Sequence, residues 1–143
     1  MLLILRKPLQ FFCVAALLTH FAVFAQSSNP VHPIVGTWSW TQFGGKCQET
    51  FRFQTDGTMI STSAEAVTVW TYTVTPQASD AGFYGLVSVS KRQNAKKDCS
   101  GDLVDHEGTE LRFFVQMNPA KDRFISCRTA SLDACFGPLG RIE

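Results

Sequence analysis

The sequence predicts an all-β domain: a small antiparallel up-and-down β-barrel of about seven or eight strands, with a β-sandwich as the alternative. Three observations carry this expectation. Apolar and polar residues alternate with a period of two through most of the chain after Ile34. Turn signals, among them Thr55-Asp56-Gly57-Thr58 and Asn118-Pro119-Ala120-Lys121-Asp122, recur at near-regular spacing. No segment keeps a helical apolar period long enough for a full helix. The composition fits one globular domain: 143 residues, 45% hydrophobic, 12% aromatic and 17% charged. A net charge of +1 lacks the concentrated basic excess of a nucleic-acid binder.

The N-terminus stands apart from this pattern. Arg6-Lys7, an apolar run over 11–25 broken only by Thr19-His20, and Val23-Phe24-Ala25 ahead of polar Gln26-Ser27-Ser28-Asn29 have the form of a secretory signal over 1–25. A membrane anchor needs about 20 consecutive apolar residues. Cys13 follows Phe11-Phe12, not the small residues that precede a lipidated cysteine. Cleavage after Ala25 leaves 118 residues, 11 basic and 12 acidic, for a net charge of −1 and no membrane span. A flexible segment, 26–33, then leads into one domain over 34–143.

The first strand has Ile34, Gly36, Trp38 and Trp40 on one face and Val35, Thr37, Ser39 and Thr41 on the other. In the second, Cys47, Phe51 and Phe53 alternate with Gln48, Thr50, Arg52 and Gln54, a half-buried strand with one wet face. Asp56-Gly57 supplies the positive backbone dihedrals of a tight hairpin, and 59–63 is the return strand. Residues 67–75 follow, with Trp70, Tyr72 and Val74 alternating with threonines up to Pro76. Further strands are expected over 83–90, over 110–116 with Leu111, Phe113 and Val115 on one face, and over 123–128. The tail, 130–140, has room for one helical turn before Phe136-Gly137-Pro138 stops it.

Signal removal takes Cys13 and leaves Cys47, Cys99, Cys127 and Cys135. An even count in an exported chain reads as two disulfides, and the absence of any C-x-x-C speaks against zinc. Of the three connectivities, Cys47–Cys99 with Cys127–Cys135 is favoured because both loops are short enough to close readily.

The run Val35-Gly36-Thr37-Trp38 resembles the G-x-W opening of lipocalins and the wider calycin group. With Phe51-Arg52-Phe53-Gln54-Thr55-Asp56-Gly57 and Trp70-Thr71-Tyr72, it is similar to small exported lipocalin-like β-barrel proteins of bacteria. The resemblance covers about 34–74. It implies a periplasmic or extracellular barrel in which Gly36 and Trp38 are structural, with Trp38 at the closed end and Arg128 or Arg141 across its indole. It also implies a carrier of a small apolar ligand, with Trp40, Trp70 and Tyr72 as candidate pocket residues. The avidin group shares the opening, but its polar biotin-contacting set has no match here.

No motif carries a reaction. There is no G-x-S-x-G elbow and no Ser-His-Asp set. His32 sits in the loose lead-in segment. His106 lies in Asp102-Leu103-Val104-Asp105-His106-Glu107-Gly108, whose spacing lacks the alternating oxygen ligands of a calcium loop, so it reads as a solvated turn. No metal and no cofactor is predicted. The basic cluster Lys91-Arg92-Gln93-Asn94-Ala95-Lys96-Lys97 reads as a charged hairpin tip that protects a sheet edge. A second function class is a protein-interaction or inhibitor module using loops such as 91–101 on a filled barrel. Inward residue size discriminates the two: dense Trp and Phe leave no pocket, whereas inward Gly36, Gly85, serines and threonines leave room.

Overall fold

The computed structural model describes residues 30–42, 44–103, 105 and 107–143. The predicted secretory signal over 1–25 and His106 lie outside the described residues. Eight strands follow one another: β1 (Gly36–Thr41), β2 (Gln48–Phe53), β3 (Thr58–Ser63), β4 (Ala66–Val74), β5 (Phe83–Gln93), β6 (Glu110–Met117), β7 (Arg123–Cys127) and β8 (Cys135–Arg141). Each pairs antiparallel with the next. β8 returns to β1 through Trp38↔Arg141 and Ser39↔Gly140, so the sheet closes into a barrel rather than a sandwich. Among the described residues there is no helix.

Two local expectations are corrected. The tail forms strand β8, not a helical turn. Phe124↔Leu139 and Ser126↔Phe136 pair it with β7, and its other edge meets β1. Both neighbours would otherwise leave unpaired backbone groups, so the ladder overrides a short local turn preference. Gly85, expected to face inward, lies on the outer face, in contact range of the Thr75 methyl. The inward set of β5 is Leu86, Ser88 and Ser90, which puts Gly85 on the opposite side by alternation. The β2–β3 hairpin keeps its expected place, but only Gly57 of the Asp-Gly pair takes a positive φ, +82°. Its N–H donates to Gln54 O (3.3 Å), while Asp56 Oδ1 accepts the Thr58 N–H (2.8 Å). This is a type I turn followed by a bulged glycine.

One end of the barrel is filled. Trp38, wholly buried, packs edge-on against Phe124 with ring centroids 4.7 Å apart, and Phe53, Met59, Leu86, Val115 and Leu139 complete the layer. The lead-in segment turns beneath it: Ile34 is buried, and its carbonyl accepts the Trp38 indole N–H at 2.7 Å. Arg141 closes the outside. Its guanidinium lies 4.1 Å from the Trp38 ring centroid and donates to Val35 O (2.8 Å) and Pro33 O (2.6 Å). Any side chain at Gly36 would collide with that guanidinium and with the Glu143 carbonyl. Arg128 is exposed and lies over Phe113 instead.

Both disulfides form as favoured. Cys127–Cys135 joins register partners on β7 and β8. Cys47–Cys99, with Cα atoms 5.7 Å apart, ties the start of β2 to the β5–β6 loop. That loop is also pinned to the β3–β4 turn: Glu65 N and Ala66 N donate to Lys97 O, and Cys99 N donates to Ser63 Oγ (3.0 Å). It therefore runs along the rim of the end opposite Trp38.

Candidate functional site: a cavity and its mouth

Above the filled layer the inward positions change character. Ser61 on β3, Ser88 on β5 and Ser126 on β7 point in beside the rings of Phe51, Trp70, Phe113 and Phe136. Three short side chains at neighbouring heights leave an internal cavity of about 70 Å³. The register sets those heights: Ser61 sits opposite Phe51, Ser88 opposite Tyr72 and Leu111, and Ser126 opposite Phe136. Serines, not glycines, make the room.

Trp70 is the hinge of the site. Only 6% of it is exposed, and its indole N–H donates to Ser61 Oγ at 2.9 Å. That bond satisfies the polar edge and leaves the ring as a wall. Above the cavity a groove of about 210 Å³ opens at the rim. Phe51, Ser61, Trp70 and Leu111 line both spaces, so the groove adjoins the cavity. The groove adds Glu49, Ser63, Thr68 and Asp98. Glu49 is held in place: its Oε1 accepts Ser63 Oγ–H (2.7 Å) and Gln42 Nε2–H (3.3 Å). Since Ser63 Oγ in turn accepts the Cys99 N–H, the disulfide-tied loop, β3 and the carboxylate form one hydrogen-bonded chain.

Of the three candidate pocket residues, only Trp70 lines the cavity. Tyr72 lies one layer deeper, edge-on to Phe53 at 5.0 Å, with its hydroxyl donating to Gln54 O at 2.7 Å. Burial, with the Asp56 charge adding to it, raises its phenol pKa above 10.0. Trp40 packs against Phe136 at the β1–β8 seam and borders an outer groove with Pro138. Asp56 and Gly57 sit in the hairpin turn, and Gly36 and Trp38 at the closed end.

His32, placed by the sequence in a loose segment, is held in the structure. Its Nδ1 accepts the Ile34 N–H (3.1 Å), and its ring meets Tyr84 edge-on at 4.8 Å. Burial lowers its pKa below 6.5, the Thr75 backbone opposes the shift, and the Lys121 charge adds to it. Among the described residues no three His, Cys, Asp or Glu side chains cluster as metal ligands.

Glu49, Ser61, Ser88, Ser126 and Phe136 were not singled out by sequence reasoning. Glu49 had a signal: it lies two residues before Phe51, so a carboxylate occupies an inward strand position. No family model matches the chain, and neither does any curated protein or solved structure.

Proposed function

We propose that the protein is an exported, disulfide-stabilised, lipocalin-like binding protein that carries a small ligand by its apolar end. The carrying observation is the cavity under the open groove, walled by Trp70, Phe51, Phe113 and Phe136. Two disulfides support a life in an oxidising compartment.

The dimensions limit the ligand. The cavity, about 70 Å³, is roughly half the size of an apolar cavity that accepts benzene (about 150 Å³). Haem, retinoids and long acyl chains are too large to be enclosed. A short chain fits, with a few carbons in the cavity and the remainder in the groove. Each buried methylene contributes about 0.8 kcal/mol, so four supply roughly 3 kcal/mol before the cost of association. Affinity is therefore modest unless the groove adds polar contacts.

The test is a tryptophan-fluorescence titration of the 26–143 chain with n-alkanols from butanol to dodecanol. Affinity should rise about fourfold per methylene through the short members and then level off. Ser88→Phe, which fills the cavity, should abolish the response while the fold persists. The absence of a saturable response in the parent protein, or an unchanged response in Ser88→Phe, contradicts the proposal. It would then promote a protein-interaction module. That reading is favoured by Leu103 and Leu132, 68% and 70% exposed on two loops at the open end.

A further inference from the structure

We infer that the end of the ligand inside the barrel bears a neutral carbonyl oxygen, as a methyl ketone does, and that the Ser88 and Ser126 hydroxyls donate to it. This rests on the binding reading above and names the chemical class of the buried end.

Ser88 on β5 and Ser126 on β7 are each only 3% exposed, and both line the cavity. Their backbones are spent in the sheet, Ser88 paired with Tyr72 and Leu111, and Ser126 with Val115 and Phe136. Their hydroxyls are not: among the described residues neither Oγ has a hydrogen-bond partner. Ser61, the third serine of the cavity, accepts the Trp70 indole N–H, which leaves its own O–H to donate. Buried polar atoms without partners are rare. Room alone would be served as well by alanine, which is smaller and has no polar atom to satisfy. Two unpartnered hydroxyls, nine-tenths buried and bordering one cavity, point instead to a group that arrives with the ligand.

The rest of the wall decides what that group is. Among the described residues no charged side chain lines the cavity. Arg128, over the Phe113 ring, is exposed and stands outside that lining. An ionised head would lose its hydration there with no counter-charge beside it. The serines present three hydroxyl hydrogens, and Ser61 can only donate, so the inventory calls for an acceptor. A carbonyl oxygen offers two lone pairs and brings no donor that needs a partner of its own. A methyl ketone end is also no bulkier than the alkyl end it replaces. An alkanol has a donor to satisfy as well, so it keeps its hydroxyl in the wet groove and enters methyl first.

The experiment compares heptan-2-one, heptan-3-one and heptan-4-one by calorimetry at pH 7 on the 26–143 chain. The three share one composition and differ only in where the oxygen sits. Heptan-2-one should bind about fivefold more tightly than heptan-4-one, the scale of one neutral hydrogen bond, with heptan-3-one between them. Ser88→Ala combined with Ser126→Ala should remove that preference and leave heptan-4-one unchanged. The urea midpoint should not fall, because no bond within the protein is lost. The carbonyl stretch of bound heptan-2-one should lie at lower wavenumber in the parent than in the double variant. Should the double variant fail to fold, each single substitution should remove part of the preference. Equal binding of the isomers, failure of all three while alkanols bind, or a preference that survives the serine substitutions overturns the carbonyl and leaves the cavity reading standing. Failure of ketones and alkanols alike overturns both.

Discussion

Replacing Arg141 by alanine removes four interactions from the closed end at once, one of them the Nε–H that donates to Lys121 O at 3.4 Å. The guanidinium stacks 4.1 Å from the Trp38 centroid and donates to Val35 O and Pro33 O. Hydrogen bonds from a charged donor contribute about 1.5–3 kcal/mol each, and a cation over an indole about 0.5–2 kcal/mol. Arg141 is half-exposed and its contacts are not independent, so the expected loss is about 3 kcal/mol, well below the sum. For a domain of this size, that lowers the urea midpoint by roughly 1–3 M. Equilibrium urea unfolding followed by tryptophan emission reads it directly. Arg141→Lys should lose about half as much, because a single ammonium cannot span both carbonyls as the planar fork does. Arg128→Ala, at an exposed residue 5.7 Å from the Phe113 centroid, should cost no more than about 0.5 kcal/mol. If Arg141→Ala lies within 0.5 kcal/mol of the parent, or Arg128→Ala is the more damaging, the role given to Arg141 is wrong.

Two further outcomes follow from the same structure. Removing Cys47–Cys99, which spans 52 residues, should cost about 4 kcal/mol, and removing Cys127–Cys135, which spans 8, about 2.5 kcal/mol, as read from unfolding of the paired serine variants. The reverse order would refute a chain-entropy origin. His32 must be neutral at Nδ1 to accept the Ile34 N–H, and its folded pKa is lowered. The unfolded chain therefore binds a proton first as pH falls. The stability due to His32 is complete above about 6.5 and declines below it. His32→Asn, whose amide oxygen can take the same N–H, should flatten the dependence of the urea midpoint between pH 7 and 5; an unchanged slope would contradict the assignment.

The fold was legible where local chemistry and burial agree. Period-two alternation placed Phe51, Phe53, Trp70, Leu111, Phe113 and Val115 on the inner face, and Asp56-Gly57 marked its hairpin. β8 was hidden because Gly137, Pro138 and Gly140 break the alternation. That segment is a strand only because β7 and β1 are there to pair with it. The site was legible in part. Each inward serine can be read from its own strand, but the cavity exists because Ser61, Ser88 and Ser126 arrive at neighbouring heights. Register decides that, and it depends on long-range pairing and on the irregularities at Val69/Trp70 and Phe124/Ser126. Glu49 illustrates the same point. Its inward position follows from alternation, whereas its oriented carboxylate depends on Ser63, fourteen residues away, and on the Cys47–Cys99 bridge.

The central claim is that a ligand chain enters the barrel beside Trp70. Isotope-filtered nuclear Overhauser spectra of the labelled 26–143 chain with hexan-1-ol test it most directly. The account predicts contacts from the terminal methyl group to Trp70, Ser88 and Phe113, and from the carbon next to the hydroxyl to Ser63 and Thr68. Contacts confined to outer-face residues such as Val87 and Phe114, or none at saturating alcohol, would contradict it.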